Sequence, residues 1–216
     1  MVIQSFEDRR EGGQRLAENL KEYAHRSDAI ILALPRGGVL VAQEVAEALG
    51  LPFDVFVVRK IGVPGHPELA MGAVASHDVQ YLNEEIISDL DISLNQVERV
   101  IRQEREELER REKLYRRGRP PVDLKGKVAI LVDDGLATGA SMLAAVQAVR
   151  SQSPKEIIAA VPVIAASSIP TIQQEVDRLV FVLAPSDFYA VGRWYSEFDQ
   201  TSDAQVGEAL KKRVRG

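Results

Sequence analysis

An α/β fold with a mainly parallel sheet is expected from three features of the chain. Short continuous apolar runs, AIILAL at 29–34, FDVFVV at 53–58 and further runs at 128–132, 157–163 and 179–183, read as strands buried on both faces. Helix-like segments alternate with these runs, as crossover connections between parallel strands require. The first two runs and the one at 128–132 deliver charged or Gly-containing turns, and ligands of such sheets bind beyond the carboxyl ends of the strands.

Taken in order, Ser5 and Asp8 stand at capping-box spacing, with Asp replacing the usual Glu. They are expected to open a helix whose apolar stripe includes Leu16, Leu20 and Tyr23. Ala29 to Leu34 is the first core strand, ended by the tight turn Pro35-Arg36-Gly37-Gly38. Val39 to Leu49 reads as a helix, stopped by Gly50-Leu51-Pro52. Phe53 to Val58 is a second buried strand running straight into Arg59-Lys60. Gly62, Pro64, Gly65 and Pro67 mark Ile61 to Leu69 as a loop, followed by strand-like pieces at Ala73 to Ser76 and Val79 to Leu82.

Leu94 to Arg117 is a charged helix. Leu94, Val97, Ile101, Leu108 and Tyr115 form one apolar stripe, and Glu98–Arg102, Glu106–Arg110 and Glu112–Arg116 are i,i+4 pairs. Past the Pro120-Pro121 break, strands at Val128 to Val132, Ile157 to Val163 and Leu179 to Leu183 alternate with helices at Gly139 to Arg150 and Ser168 to Val176.

Composition narrows the function classes. The chain has 216 residues with 32 acidic against 27 basic side chains, a formal net charge of −5. That balance disfavours general nucleic-acid binding, which needs a basic field. Without cysteine there is no disulfide framework, Cys-ligated zinc or thiol nucleophile. The N-terminus lacks a basic region followed by an apolar run, and no stretch approaches the roughly 18 apolar residues of a spanning helix. No membrane partner and a cytoplasmic location are expected.

The chemistry is concentrated in VAILVDDGLATGAS, residues 128–141. An apolar strand delivers adjacent carboxylates, Asp133 and Asp134, then a Gly-containing turn with two hydroxyl residues, then a helix. The turn and helix start present unpaired backbone N–H groups and the positive end of the helix dipole, which suit a phosphate. Gly135 and Gly139 permit tight geometry, and the Thr138 and Ser141 hydroxyls add donors. Asp133 and Asp134 would repel that phosphate; they suit sugar hydroxyls, or Mg²⁺ directly or through water. Phosphate at one end and diol acceptors at the other describe a ribose 5-phosphate site.

This stretch closely resembles the 5-phosphoribosyl 1-diphosphate (PRPP) motif of the type I phosphoribosyltransferases. The resemblance implies that Asp133 and Asp134 contact the ribose hydroxyls and that Ala137, Thr138, Gly139, Ala140 and Ser141 hold the 5-phosphate. No Walker A loop is present, which disfavours a nucleoside triphosphatase. Arg36, Gly37 and Gly38 lie where the family places its diphosphate loop, and Arg59-Lys60 is similar to a diphosphate-binding pair of adenine-type members. Residues 62–69 correspond to the family's mobile loop, in which His66 and Glu68 are candidates to assist.

The implied architecture is a parallel-sheet phosphoribosyltransferase-like core with helices on both faces, one domain over 1–216. A helical insertion at 91–119 and a hood-like tail at 185–216 would elaborate it. Phe188, Trp194 and Tyr195 would stack on an aromatic acceptor, or else pack the hood on the core. The basic end of the insertion, Arg110, Arg111, Lys113, Arg116, Arg117 and Arg119, would meet RNA or a diphosphate, with dimerisation or hood packing as the favoured role. Ala137 stands where hypoxanthine–guanine enzymes carry an Asp, which argues against an oxopurine mechanism depending on that acid.

The expected activity is therefore Mg²⁺-dependent transfer of ribose 5-phosphate from PRPP to a nucleobase-like acceptor, with Arg36, Arg59 and Lys60 stabilising the leaving diphosphate. A homodimer is expected. The alternatives are a PRPP- or nucleotide-binding regulator without turnover, and an enzyme of phosphorolysis or hydrolysis on a phosphorylated ribose.

Overall fold

The structure, a computed structural model, describes residues 5–76, 79–116 and 122–211. It begins with α1 (Arg9–Glu18), β1 (Ala29–Ala33), α2 (Gly38–Leu49) and β2 (Phe53–Val55). Then come β3 (Val58–Val63), β4 (His66–Ala75), β5 (Val79–Leu82), α3 (Glu84–Asp89) and α4 (Leu94–Arg116). The remainder is β6 (Val128–Val132), α5 (Ala140–Arg150), β7 (Glu156–Val163), α6 (Ile169–Glu175), β8 (Arg178–Leu183) and α7 (Asp203–Ala209).

The apolar runs pair in the order β2-β1-β6-β7-β8, all parallel, as expected. Their side chains alternate between two helical layers. Val128, Ile130 and Val132 of β6 pack with α1, α2 and α7, whereas Ala129 and Leu131 pack with α5 and α6. Two-sided burial of this kind is what a continuous apolar strand provides.

Local structure departs from expectation at several places. Asp8, not Ser5, caps α1: its Oδ1 accepts from the Arg10 and Glu11 amides at 2.8 and 2.9 Å. Phe6 is buried against Tyr195 and bridges it in parallel, which holds that stretch out of the helix. The run at 53–58 is not one strand. After β2 the Phe56 amide donates to the Ala33 carbonyl, and Val57 then leaves to bond Ser76 of the neighbouring segment. Arg59 and Lys60 consequently lie inside β3, a strand of a second, antiparallel sheet ordered β3-β4-β5.

The expected loop at 61–69 is a hairpin. Val63 pairs with His66 across a two-residue turn at Pro64-Gly65, and Gly65 adopts φ +83°. Only those two residues need turn chemistry; Gly62 and its neighbours are absorbed as irregularities in the ladder. His66 is exposed, and the side chain of Glu68 lies outside the described residues.

The small sheet lies between α5 and α4. On α4, Val97 packs on the small sheet while Leu108 and Tyr115 reach the main core, so this helix straps the two together. Leu94, in the first turn, is 77% exposed and stands off the stripe. Arg110 and Arg111 both pair with Glu107, rather than Arg110 with Glu106, and hold its carboxyl down to about 2. Arg117, Arg119 and the Pro120-Pro121 break lie outside the described residues.

The far end of α4 is anchored by the Tyr115 hydroxyl, which donates to Asp203 Oδ1 of α7 at 2.6 Å. Burial first, and then the Asp203 carboxylate, push the Tyr115 hydroxyl up to about 12. Tyr115→Phe removes this bond and should lower unfolding free energy by about 1 kcal/mol, read from the midpoint of a urea titration at neutral pH.

Candidate active site

β6 is buried on both faces, and the chain leaves it at Asp133 and Asp134. Burial, then the neighbouring Asp134 charge, push the Asp133 carboxyl well above the ordinary carboxylate range. Burial raises Asp134 as well, against the Arg9 guanidinium, which favours its charged form. Arg9 Nε lies 2.8 Å from Asp134 Oδ2. The Arg9 side chain also donates from Nη1 to the Asp199 carbonyl at 2.8 Å, and its Cζ sits 3.8 Å from the centre of the Phe198 ring.

The turn after β1 closes on the same two acids. A Cβ on Gly37 would collide with Asp134 Oδ2, and one on Gly38 would fall 2.8 Å from Asp133 Cα and 2.7 Å from the Val132 carbonyl. Glycine is required here by close approach, not by backbone angle, since φ at Gly37 is −58°. The Pro35–Arg36 peptide is cis. Asp133 Oδ1 accepts from the Asp134 amide at 2.8 Å.

Beyond the acids, Gly135 packs on Val163 and Val191, where a Cβ would come within 3.0 Å of either side chain. Gly139 takes φ +75° and starts α5, whose first turn is capped by no side chain. Ala137, Thr138 and Ser141 are exposed there, so the amides and hydroxyls expected to hold a phosphate face outward. Ser168 donates to the Ala137 carbonyl at 2.5 Å and braces the turn from outside.

Next to this turn is a cavity of about 570 Å³ lined by Arg59, Lys60, Asp133 and Ser141. Leu34 and Pro35 contribute from β1, Val63 to Gly65 from the hairpin, and Val100, Glu104 and Arg111 from α4. The structure thus unites Arg59, Lys60, Asp133 and Ser141, but it pairs Arg59 with Glu104, Nε to Oε2 at 2.7 Å. Arg36 does not line this cavity. It is half-buried on the adjoining turn, where its charge favours ionisation of Tyr115.

The aromatic residues of the tail divide. Tyr195 is 5% exposed, its ring packs on those of Phe6 and Phe198, and its hydroxyl donates to the Asp134 carbonyl at 2.5 Å. That arrangement leaves no ring face for an acceptor, so Tyr195 buttresses the acid pair instead of stacking on a base. Phe188 and Trp194 stack on each other with centroids 6.3 Å apart, both half-buried.

Sequence reading missed Arg9, Glu104 and the buttressing role of Tyr195. Arg9 is one of several arginines in its segment and carries no motif; only its burial distinguishes it. For a divalent cation, no cluster of three or more His, Cys, Asp or Glu exists among the described residues. Asp133 and Asp134 offer two adjacent carboxylates, a donor set that suits Mg²⁺ when a bound substrate supplies further oxygens.

A sequence model of the phosphoribosyl transferase domain matches residues 4–190. The chain belongs to that family. Two curated Mycobacterium tuberculosis proteins carried under the name phosphoribosyl transferase, MT0597 and Rv0571c, are each 40% identical to it over 210 residues. The alignments cover 97% of this chain and 47% of each relative, so the chain spans about half the length of the curated relatives it matches. TT1426 from Thermus thermophilus, a crystal structure, superposes with a TM-score of 0.89 at 38% identity, over 98% of this chain and 100% of that one. The phosphoribosyl transferase resemblance of the VDDGLATGAS segment is thereby upheld. Among the described residues no helix is long and apolar enough to cross a membrane.

Two substitutions test the packing and charge around the acid pair. Gly37→Ala forces Asp134 or the turn to move and should lower stability by about 1–3 kcal/mol, read by denaturant titration. Asp133→Asn should raise it. A carboxyl with a raised native pKa stabilises the fold below the unfolded value and loses that contribution as pH climbs through the native one. Melting temperatures should therefore favour Asp133→Asn increasingly from about pH 4, the unfolded carboxyl value, upward.

Proposed function

We propose that the chain transfers ribose 5-phosphate from PRPP to a nucleobase-like acceptor and releases diphosphate. The observation that carries this reading is that Asp133 and Ser141 line one cavity with Arg59, Lys60 and Arg111, next to the open amide and hydroxyl turn at 137–141. A sugar bearing phosphate on one end and diphosphate on the other fits that set of groups.

In this reading Thr138, Ser141 and the first amides of α5 grip the 5-phosphate, with Gly139 supplying the left-handed turn that starts the helix. Asp133 and Asp134 accept from the ribose hydroxyls. Lys60, Arg59 and Arg111 face the diphosphate and neutralise charge that grows on it as its bond to the ribose C1 breaks. A new bond from the acceptor nitrogen forms at that carbon as the diphosphate leaves. Bound with PRPP, Mg²⁺ would shield the diphosphate charge, and Asp133 and Asp134 are the carboxylates that would hold it, directly or through water. The hairpin tip and α4 roof the cavity and keep water from the electron-poor ribosyl centre. Phe188 and Trp194, stacked on each other in the tail, are the aromatic residues that would meet a base.

The decisive measurement is diphosphate release from PRPP and Mg²⁺ across a panel of purines, pyrimidines and related heterocycles. Release with at least one acceptor is expected. Asp133→Asn should reduce PRPP affinity by about tenfold or more while leaving the chain folded. PRPP binding without release for any acceptor would favour a regulator that has kept the site and lost turnover, and no PRPP binding would remove the assignment.

A further inference from the structure

We infer that Arg9 is a positioning residue for PRPP, fixing the Asp134 carboxylate and the adjoining Gly37 turn in the arrangement that receives the sugar. This rests on the proposed function of the same site and adds a residue from outside its phosphate, diphosphate and diol segments.

Arg9 is the first residue of α1 and is 8% exposed. A cation at the start of a helix opposes the helix dipole, and a buried ion pair roughly breaks even against apolar packing. Helix stability therefore does not account for it, and α1 is already secured by the Asp8 cap and by Leu16 and Ala17 in the core. What the side chain does instead is specific on three sides. Nε meets Asp134 Oδ2, Nη1 meets the Asp199 carbonyl, and the guanidinium face covers Phe198.

The Asp134 end of this contact is crowded. A Cβ placed on Gly37 would overlap Asp134 Oδ2 and lie 3.1 Å from Arg9 Nε, so the arginine, the acid and the diphosphate turn meet at one point. Two desolvated carboxylates on successive residues repel each other. A cation locked in place on one of them decides where that carboxylate points. Asp134 is further pinned through its carbonyl by Tyr195, from the segment that supplies Phe198 and Asp199. The N-terminal helix and the tail thus converge on the acid pair and hold it from behind. Lysine would not reproduce this arrangement, because separate nitrogens, Nε and Nη1, reach the two oxygens while the planar guanidinium lies on the ring.

The test is calorimetric titration of the full chain with PRPP and Mg²⁺. Arg9→Lys and Arg9→Gln should each weaken PRPP binding by about tenfold or more. Phe198→Leu, which keeps the charge, should shift affinity in the same direction, and Arg10→Gln, on the exposed neighbour, should not. In an Asp134→Asn background the Arg9 substitutions should change affinity by less than about twofold, because their effect runs through that carboxylate. Should Arg9→Gln fail to fold, Arg9→Lys and Phe198→Leu decide the matter. Wild-type affinity in Arg9→Lys, or an undiminished loss in the Asp134→Asn background, overturns the inference alone. Failure of the wild-type chain to bind PRPP overturns the proposed function and this inference with it.

Discussion

Two carboxylates on consecutive residues, at the end of a strand buried on both sides, are the constraint around which this molecule is organised. Neither charge is cheap in that position, and the second makes the first worse. The surroundings answer in three ways. Arg9 brings a cation from the N-terminal helix, the Asp134 amide donates to Asp133, and Gly37 and Gly38 give up side chains so that the turn after β1 can fit against the pair. Segments from both ends of the chain meet at this place because no local structure would satisfy it.

Charge on this protein is a local matter. The formal net charge of −5 says little about a cavity in which Arg59, Lys60 and Arg111 oppose Glu104 and Asp133. The Arg59–Glu104 pair ties the small sheet to α4 across the cavity, so the side chains that would face an anionic ligand also hold the roof. Alpha-helical residues with no motif of their own become part of the site through this packing. The strap formed by α4 depends in turn on Val97 at one end and Tyr115 at the other, each docked in a different core.

A related economy governs the tail. The stretch that follows β8 was expected to offer aromatic rings to an acceptor, and one of those rings, Tyr195, is spent on support. A phenolic O–H is a good donor to a backbone carbonyl, and a ring buried against Phe6 and Phe198 has no free face. Rigidity behind the acids is what this arrangement supplies, in keeping with the general need to lock the groups that touch a ligand by a supporting layer.

The parallel sheet was readable because two-sided burial leaves continuous apolar runs, and the acid pair because its spacing after β6 satisfies a chemical pattern within one short segment. The glycines were legible as turn residues, although what excludes a side chain at Gly37 and Gly38 is the distant acid pair. Long-range placement had no such trace. That Phe53 to Val58 divides between two sheets depends on Ser76 bonding Val57, a partner 19 residues away. The burial of Arg9 depends on Asp134 and Phe198, and that of Tyr195 on Phe6 and Asp134. Local periodicity and motif chemistry report what a segment can do with its own backbone, whereas the use made of a lone arginine or tyrosine is settled by whichever distant groups would otherwise be left buried and unpaired.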